Sequence, residues 1–137
     1  TKDLGMEWSL SEHELASMRA EMVVASRLGE LEPPVDTVFI HIREDEAFRV
    51  SCELVRDLGF QGKLCIHPGQ ISTANTAFTP TEEQLAFAKK VIDAFVEAEA
   101  AGSASIQIDG YFVDYPIVDK AQRIVDIAEA IARAEAA

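Results

Sequence analysis

Between Val35 and His67 the hydrophobic period of this chain changes from strand to helix and back to strand, and no other feature restricts its fold so tightly. After Pro33 and Pro34, the run Val35-Asp36-Thr37-Val38-Phe39-Ile40 is β-branched and aromatic, the composition of a buried strand. From Asp45 to Leu58 the apolar residues Phe48, Leu54, Val55 and Leu58 fall on adjoining faces of a helix, with Gly59 at the position that ends one. Lys63 to His67 then reads as a second strand. Strand, crossover helix and strand within about 32 residues make a βαβ unit, whose strands run parallel and are covered on both faces.

The same alternation extends backwards. Ser11 and Glu14 have capping-box spacing, and Leu15, Met18, Met22 and Ala25 follow at helical spacing, so a helix is expected through Leu28 and its end at Gly29. The character changes after Gln70. Thr79-Pro80-Thr81-Glu82 has the form of a capping box with proline at the first helical position, and Leu85, Ala88, Ile92 and Phe95 give the following helix an apolar stripe up to Gly102. Ser105 to Ile108 and Tyr111 to Val113 flank Asp109-Gly110, the signal for a two-residue type I′ hairpin. Pro116 opens a last helix carrying Ile117, Ala121, Ile124, Ala128 and Ile131. Helix, hairpin and helix do not continue a parallel βα series. The expected division is therefore 1–78, an α/β part, and 79–137, a small helical subdomain.

Composition bounds what such a chain does. Its 137 residues suffice for one domain but fall well short of the roughly 250 of a complete (β/α)8 barrel. Twelve Lys and Arg against 24 Asp and Glu give a net charge of -12, the wrong sign for nucleic acid or an anionic membrane surface. A few local cations and backbone amides still suffice for one phosphorylated small molecule. Cys52 and Cys65 form no CxxC pair and read as small core residues. The apolar runs are shorter than the ~18 residues a membrane span needs, and the first residues carry no secretory pattern, so a cytoplasmic location is expected.

The segment Gly59-Phe60-Gln61-Gly62-Lys63-Leu64-Cys65-Ile66-His67-Pro68-Gly69-Gln70-Ile71 resembles the last barrel strand and following turn of the HpcH/HpaI aldolase and citrate lyase beta-subunit-like family. Ala77-Phe78-Thr79-Pro80, Asp109-Gly110 and Val113-Asp114-Tyr115-Pro116 continue the likeness in order, and Thr1 to Leu4 resembles the end of the sixth barrel strand. The resemblance implies an α/β chain that is the C-terminal portion of a TIM (β/α)8 barrel, with Asp36 to Ile42 as strand seven, Lys63 to His67 as strand eight, and a helix-hairpin-helix lid after them. Strands one to five would be absent.

The family's members are carbon-carbon lyases, generally Mg2+-dependent with Mn2+ as a substitute. They divide a β-hydroxyacyl-CoA ester or an acyl-carrier thioester into an acetyl thioester and a 2-oxo acid. Residue by residue, the resemblance makes Asp3 a metal ligand, Asp114 the general acid-base, and Ile66, Pro68 and Gln70 contacts to CoA or substrate. It further implies a trimer or hexamer whose lid reaches a neighbouring subunit, and dependence on the absent N-terminal half of the barrel, so that the isolated chain is inactive. Bland readings stand beside these: Asp3 as an acidic terminal residue, Asp114 as a cap for the last helix, His67 as a structural histidine, Trp8 as a packing residue. The competing reading of the whole chain is a non-catalytic α/β scaffold.

Overall fold

The computed structural model describes residues 5–136. It divides between Phe78 and Thr79 into two compact units, each described here by itself.

In the first unit a single turn of 3-10 helix, His13–Leu15, leads into α1, Ala16–Leu28. Strand β1, Val35–Asp36, pairs in parallel with β2, Gly62–Lys63, with Val35 opposite Gly62 and Asp36 opposite Lys63. Helix α2, Asp45–Leu58, makes the crossover between them, and α3, Gly69–Phe78, follows β2. This is the expected βαβ unit with its parallel strands, in the order of a segment of a barrel. Gly59 ends α2 at φ 107°, the left-handed conformation that glycine adopts without a Cβ penalty. The unit's core gathers Phe39, Phe48, Cys52, Ala74 and Ala77, so the middle of the long apolar run packs against α2 and α3.

Several details differ from the sequence expectation. The paired ladder is two residues long on each strand, although the apolar runs extend further. Helix α3 carries few large apolar residues to mark a face, and it had no sequence signal of its own kind. Ser11 caps nothing: the residue that closes the start is Ser9, whose backbone N–H and hydroxyl both donate to Glu14 at 2.7 Å and whose hydroxyl also accepts from the Glu12 N–H. The buried positions of this helical stretch are Leu15, Arg19 and Ser26, so an arginine takes a place on the inner face, while Met22 is exposed.

The second unit is helix, hairpin, helix: α4 Glu82–Ala100, β3 Ile106–Ile108, β4 Tyr111–Val113 and α5 Tyr115–Glu135. Its core is Ala88, Val91, Phe95, Ile108, Val113, Ala121 and Val125. The capping box at the start of α4 is two residues later than expected, at Thr81 and Gln84 rather than Thr79 and Glu82. Thr81 accepts from the Gln84 N–H and Gln84 returns the bond to the Thr81 N–H, at 3.1 and 2.9 Å. The hairpin turn is as expected, with Asp109 at φ 49° and Gly110 at φ 87°.

Candidate functional site

Beyond the ladder the two strands run on without pairing, and one side chain stitches them together. Gln70, 4% exposed in the first turn of α3, accepts from the Ile66 N–H through Oε1 and donates from Nε2 to the Phe39 carbonyl, both at 3.0 Å. The amide supplies the donor and acceptor that a longer ladder would have exchanged. Ile66 and Pro68 are exposed on the turn so fixed, whereas Gln70 is buried. Both ends of the Gln70 amide thus hold the fold together beneath the turn on which Ile66 and Pro68 stand. His67 is exposed on the same turn, where its Nδ1 accepts from the Gly69 N–H at 3.1 Å.

Below this turn lies a buried ionic cluster. Arg19 donates from Nε and Nη2 to the two carboxylate oxygens of Asp36, at 2.9 and 2.7 Å, and from Nη2 to Glu12 at 2.8 Å. Lys63 Nζ lies 2.5 Å from Asp36 and 3.5 Å from Glu12. Glu12 further accepts from the Ser51 hydroxyl and, through its other oxygen, from the Trp8 indole at 3.1 Å. All four charged side chains are at most 4% exposed. Burial alone pulls the Arg19 guanidinium towards deprotonation, but its bonds to Asp36 and Glu12 outweigh that and hold its pKa above the usual value.

This cluster has a signal in the sequence. Asp36 interrupts an apolar strand and Lys63 opens the next, and a charge in a buried strand needs an opposite charge to face it. Lys63 therefore serves this cluster rather than a surface anion. A further link joins two loops: the His41 Nε2 lies 3.1 Å from the Trp8 carbonyl, and the ring packs edge-on against Phe39 with centroids 5.5 Å apart.

In the second unit Asp114 occupies the position before the first turn of α5. Its backbone is extended, its carbonyl accepts from the N–H groups of Ile117 and Val118 at 3.0 Å, and its carboxylate makes no capping bond. The preceding Val113 is fully buried, which anchors the half-buried aspartate against the unit's core. Tyr115 beside it packs edge-on against Phe95 at 5.0 Å and donates its hydroxyl to Glu99 at 2.8 Å. That acceptor, a carboxylate, raises the phenol's pKa.

Asp3, the expected metal ligand, lies outside the described residues. Among the described residues there is no group of three or more His, Cys, Asp or Glu placed to hold an ion, so they do not by themselves make a magnesium site. Nor is any described helix long and apolar enough to cross a membrane.

A parallel βαβ segment followed by a helix-hairpin-helix unit is the element order expected of the C-terminal portion of a TIM-barrel protein. No family model matches the chain. The chain is 33% identical over 134 residues to the citrate lyase subunit beta of Haemophilus influenzae, a match that covers 98% of this chain and 46% of that one. It is 40% identical over 98 residues to the (3S)-malyl-CoA thioesterase of Cereibacter sphaeroides, covering 72% of this chain and 34% of the relative. Its structure resembles that of protein CitE from Mycobacterium tuberculosis in complex with magnesium, acetoacetate and coenzyme A, with a TM-score of 0.68 over 83% of this chain and 41% of that chain, at 24% identity. The chain belongs to the HpcH/HpaI aldolase and citrate lyase beta-subunit-like family. It spans less than half the length of these relatives.

Proposed function

We propose that this chain is the C-terminal portion of a carbon-carbon lyase that cleaves a β-hydroxyacyl-CoA ester of the malyl, citramalyl or citryl type into an acetyl thioester and a 2-oxo acid. The observation that carries the reading is Asp114. A carboxylate at the start of a helix ordinarily bonds to the first-turn N–H groups, yet this one leaves them and keeps its oxygens available. In cleavage the β-hydroxyl passes its proton to a base outside the described residues, its oxygen becomes the carbonyl of the 2-oxo acid, and the electron pair of the breaking carbon-carbon bond passes to the thioester as an enolate. Asp114 returns a proton to the enolate carbon, and in condensation it removes one.

Ile66 and Pro68, on the turn held by Gln70, offer an apolar surface and backbone groups to CoA. Asp3 would contribute one carboxylate to Mg2+, or to Mn2+ in its place, and a bound ion would polarise the oxygen of the 2-oxo acid. The rest of that ion's ligands are not among the described residues, and no step is derived through it. An active assembly would be an oligomer completed by the barrel portion this chain does not span.

The test uses the full-length polypeptide. Asp114→Asn should lower kcat for malyl-CoA or citramalyl-CoA cleavage by roughly 100- to 10,000-fold, with the circular dichroism spectrum unchanged. Full activity in that variant overturns the assignment. The likeness to a malyl-CoA thioesterase supports a second reading, hydrolysis of the thioester. The products separate the two: acetyl-CoA with a 2-oxo acid for a lyase, free CoA with an intact hydroxy acid for a thioesterase.

A further inference from the structure

The start of α5 offers the Asp114 carboxylate little to cap. Pro116 has no N–H to give, and the N–H groups of Ile117 and Val118 are both taken by the Asp114 carbonyl. The direction of the carboxylate is therefore set by the residues on either side of it. The backbone at Asp114 is extended, φ -133° and ψ -177°, so successive side chains point to opposite sides. A hold on Val113 and on Tyr115 then decides where the aspartate between them points.

The two neighbours are held differently. Val113 is fully buried in the core of the second unit. Tyr115 is half-exposed and grips one face of α4 at two points: its ring meets Phe95 edge-on, with centroids 5.0 Å apart, and its hydroxyl donates to Glu99 at 2.8 Å. Phe95 and Glu99 are four residues apart and so stand one above the other on the helix, and Phe95 is itself part of the core. The hydroxyl proton is committed to Glu99, and that hydrogen bond to a carboxylate holds the phenol above its ordinary pKa, so Tyr115 keeps its proton. Its part is to place a neighbour, not to transfer a proton.

We propose that Tyr115 is a positioning residue for Asp114: its bond to Glu99 ties the first residue of α5 to the last turn of α4 and aims the adjoining carboxylate for proton transfer at the enolate carbon. The inference rests on the reading of Asp114 as the acid-base. The Tyr115 to Glu99 bond is exposed, so water replaces it when it is removed and the fold loses little. The reaction is more sensitive than the fold, since a misplacement of about 1 Å can slow it about 100-fold.

The full-length polypeptide is assayed for cleavage of malyl-CoA and citramalyl-CoA. Tyr115→Phe keeps the ring on Phe95 and removes the hydroxyl, and should lower kcat about tenfold while KM and the circular dichroism spectrum stay as they are. Glu99→Ala should cause the same fall and the double variant no further one, whereas Glu99→Gln, whose amide oxygen still accepts, should recover most of what Glu99→Ala loses. In an Asp114→Asn background, Tyr115→Phe should change nothing more. An unchanged kcat in Tyr115→Phe, a raised KM in its place, additive losses in the double variant, or the same fall in the Asp114→Asn background overturns the proposal. Where Asp114→Asn itself loses activity, those results leave the acid-base role of Asp114 standing. Full activity in Asp114→Asn overturns both.

Discussion

The two cysteines show how differently one residue type behaves in one unit. Cys52 is fully buried and Cys65 is exposed. Burial pushes the Cys52 thiol up to about 11 from an ordinary 9.0. One equivalent of iodoacetamide should therefore react in the folded protein at pH 8, at Cys65, and two in denaturant; mass spectrometry of the peptides checks this. The same shift sets a pH dependence. Between pH 9 and 11 the unfolded thiol has lost a proton that the folded one keeps, so stability falls as pH rises through that window, and Cys52→Ala should flatten the fall. Sequence alone placed both cysteines in the core. It erred on Cys65 because the run Lys63 to His67 looks like a covered strand, whereas only Lys63 in it is buried. Gln70 was legible as part of a family motif but not as a clamp, since its partners, Ile66 and Phe39, are set by the fold. Gln70→Ala leaves the part-buried Ile66 N–H and the buried Phe39 carbonyl unpaired, and urea unfolding should show a loss of about 1–3 kcal/mol.

Among the elements, those with a strong local pattern were readable from the chain itself. Helix α2 has its apolar faces and terminal glycine, and the Asp109-Gly110 hairpin has its obligatory turn, so both appear where expected. The starts of the first and fourth helices were misplaced because Ser and Thr cluster there, and spacing alone does not choose which hydroxyl bonds the backbone. Thr81→Ala should destabilise the second unit by about 1 kcal/mol in thermal unfolding, because the Gln84 N–H loses its side-chain acceptor. An unchanged melting temperature would overturn that placement of the cap. The two-residue ladder was not readable, because apolar composition reports that a segment is covered, not that its backbone is paired with a neighbour.

On the scale of the molecule, the exposed apolar groups among the described residues include Val35, Ile40, Ile42, Leu64 and Ile66 on the strands or their continuations. Exposed apolar surface of this kind drives association in water. The chain by itself should show concentration-dependent self-association in analytical ultracentrifugation, reduced by Leu64→Lys, in spite of its net charge of -12. The candidate site was legible only in part for a related reason. Asp114 and the Ile66 to Pro68 turn are local features, but the partner carboxylates and pocket walls of a barrel come from strands distant in sequence. The pairing of Asp36 with Lys63 bears on how the unit assembles. They are opposite each other in the ladder and also joined as an ion pair. Two rungs of backbone bonding tolerate sliding, but a slip by one residue would set Asp36, still held by Arg19, against Gly62 or Leu64 and take the buried Lys63 ammonium away from its facing carboxylate. Electric charge thus proofreads the alignment of two strands too short to specify it by hydrogen bonding, and a nascent chain that pairs them wrongly meets a penalty before its outer surfaces have formed.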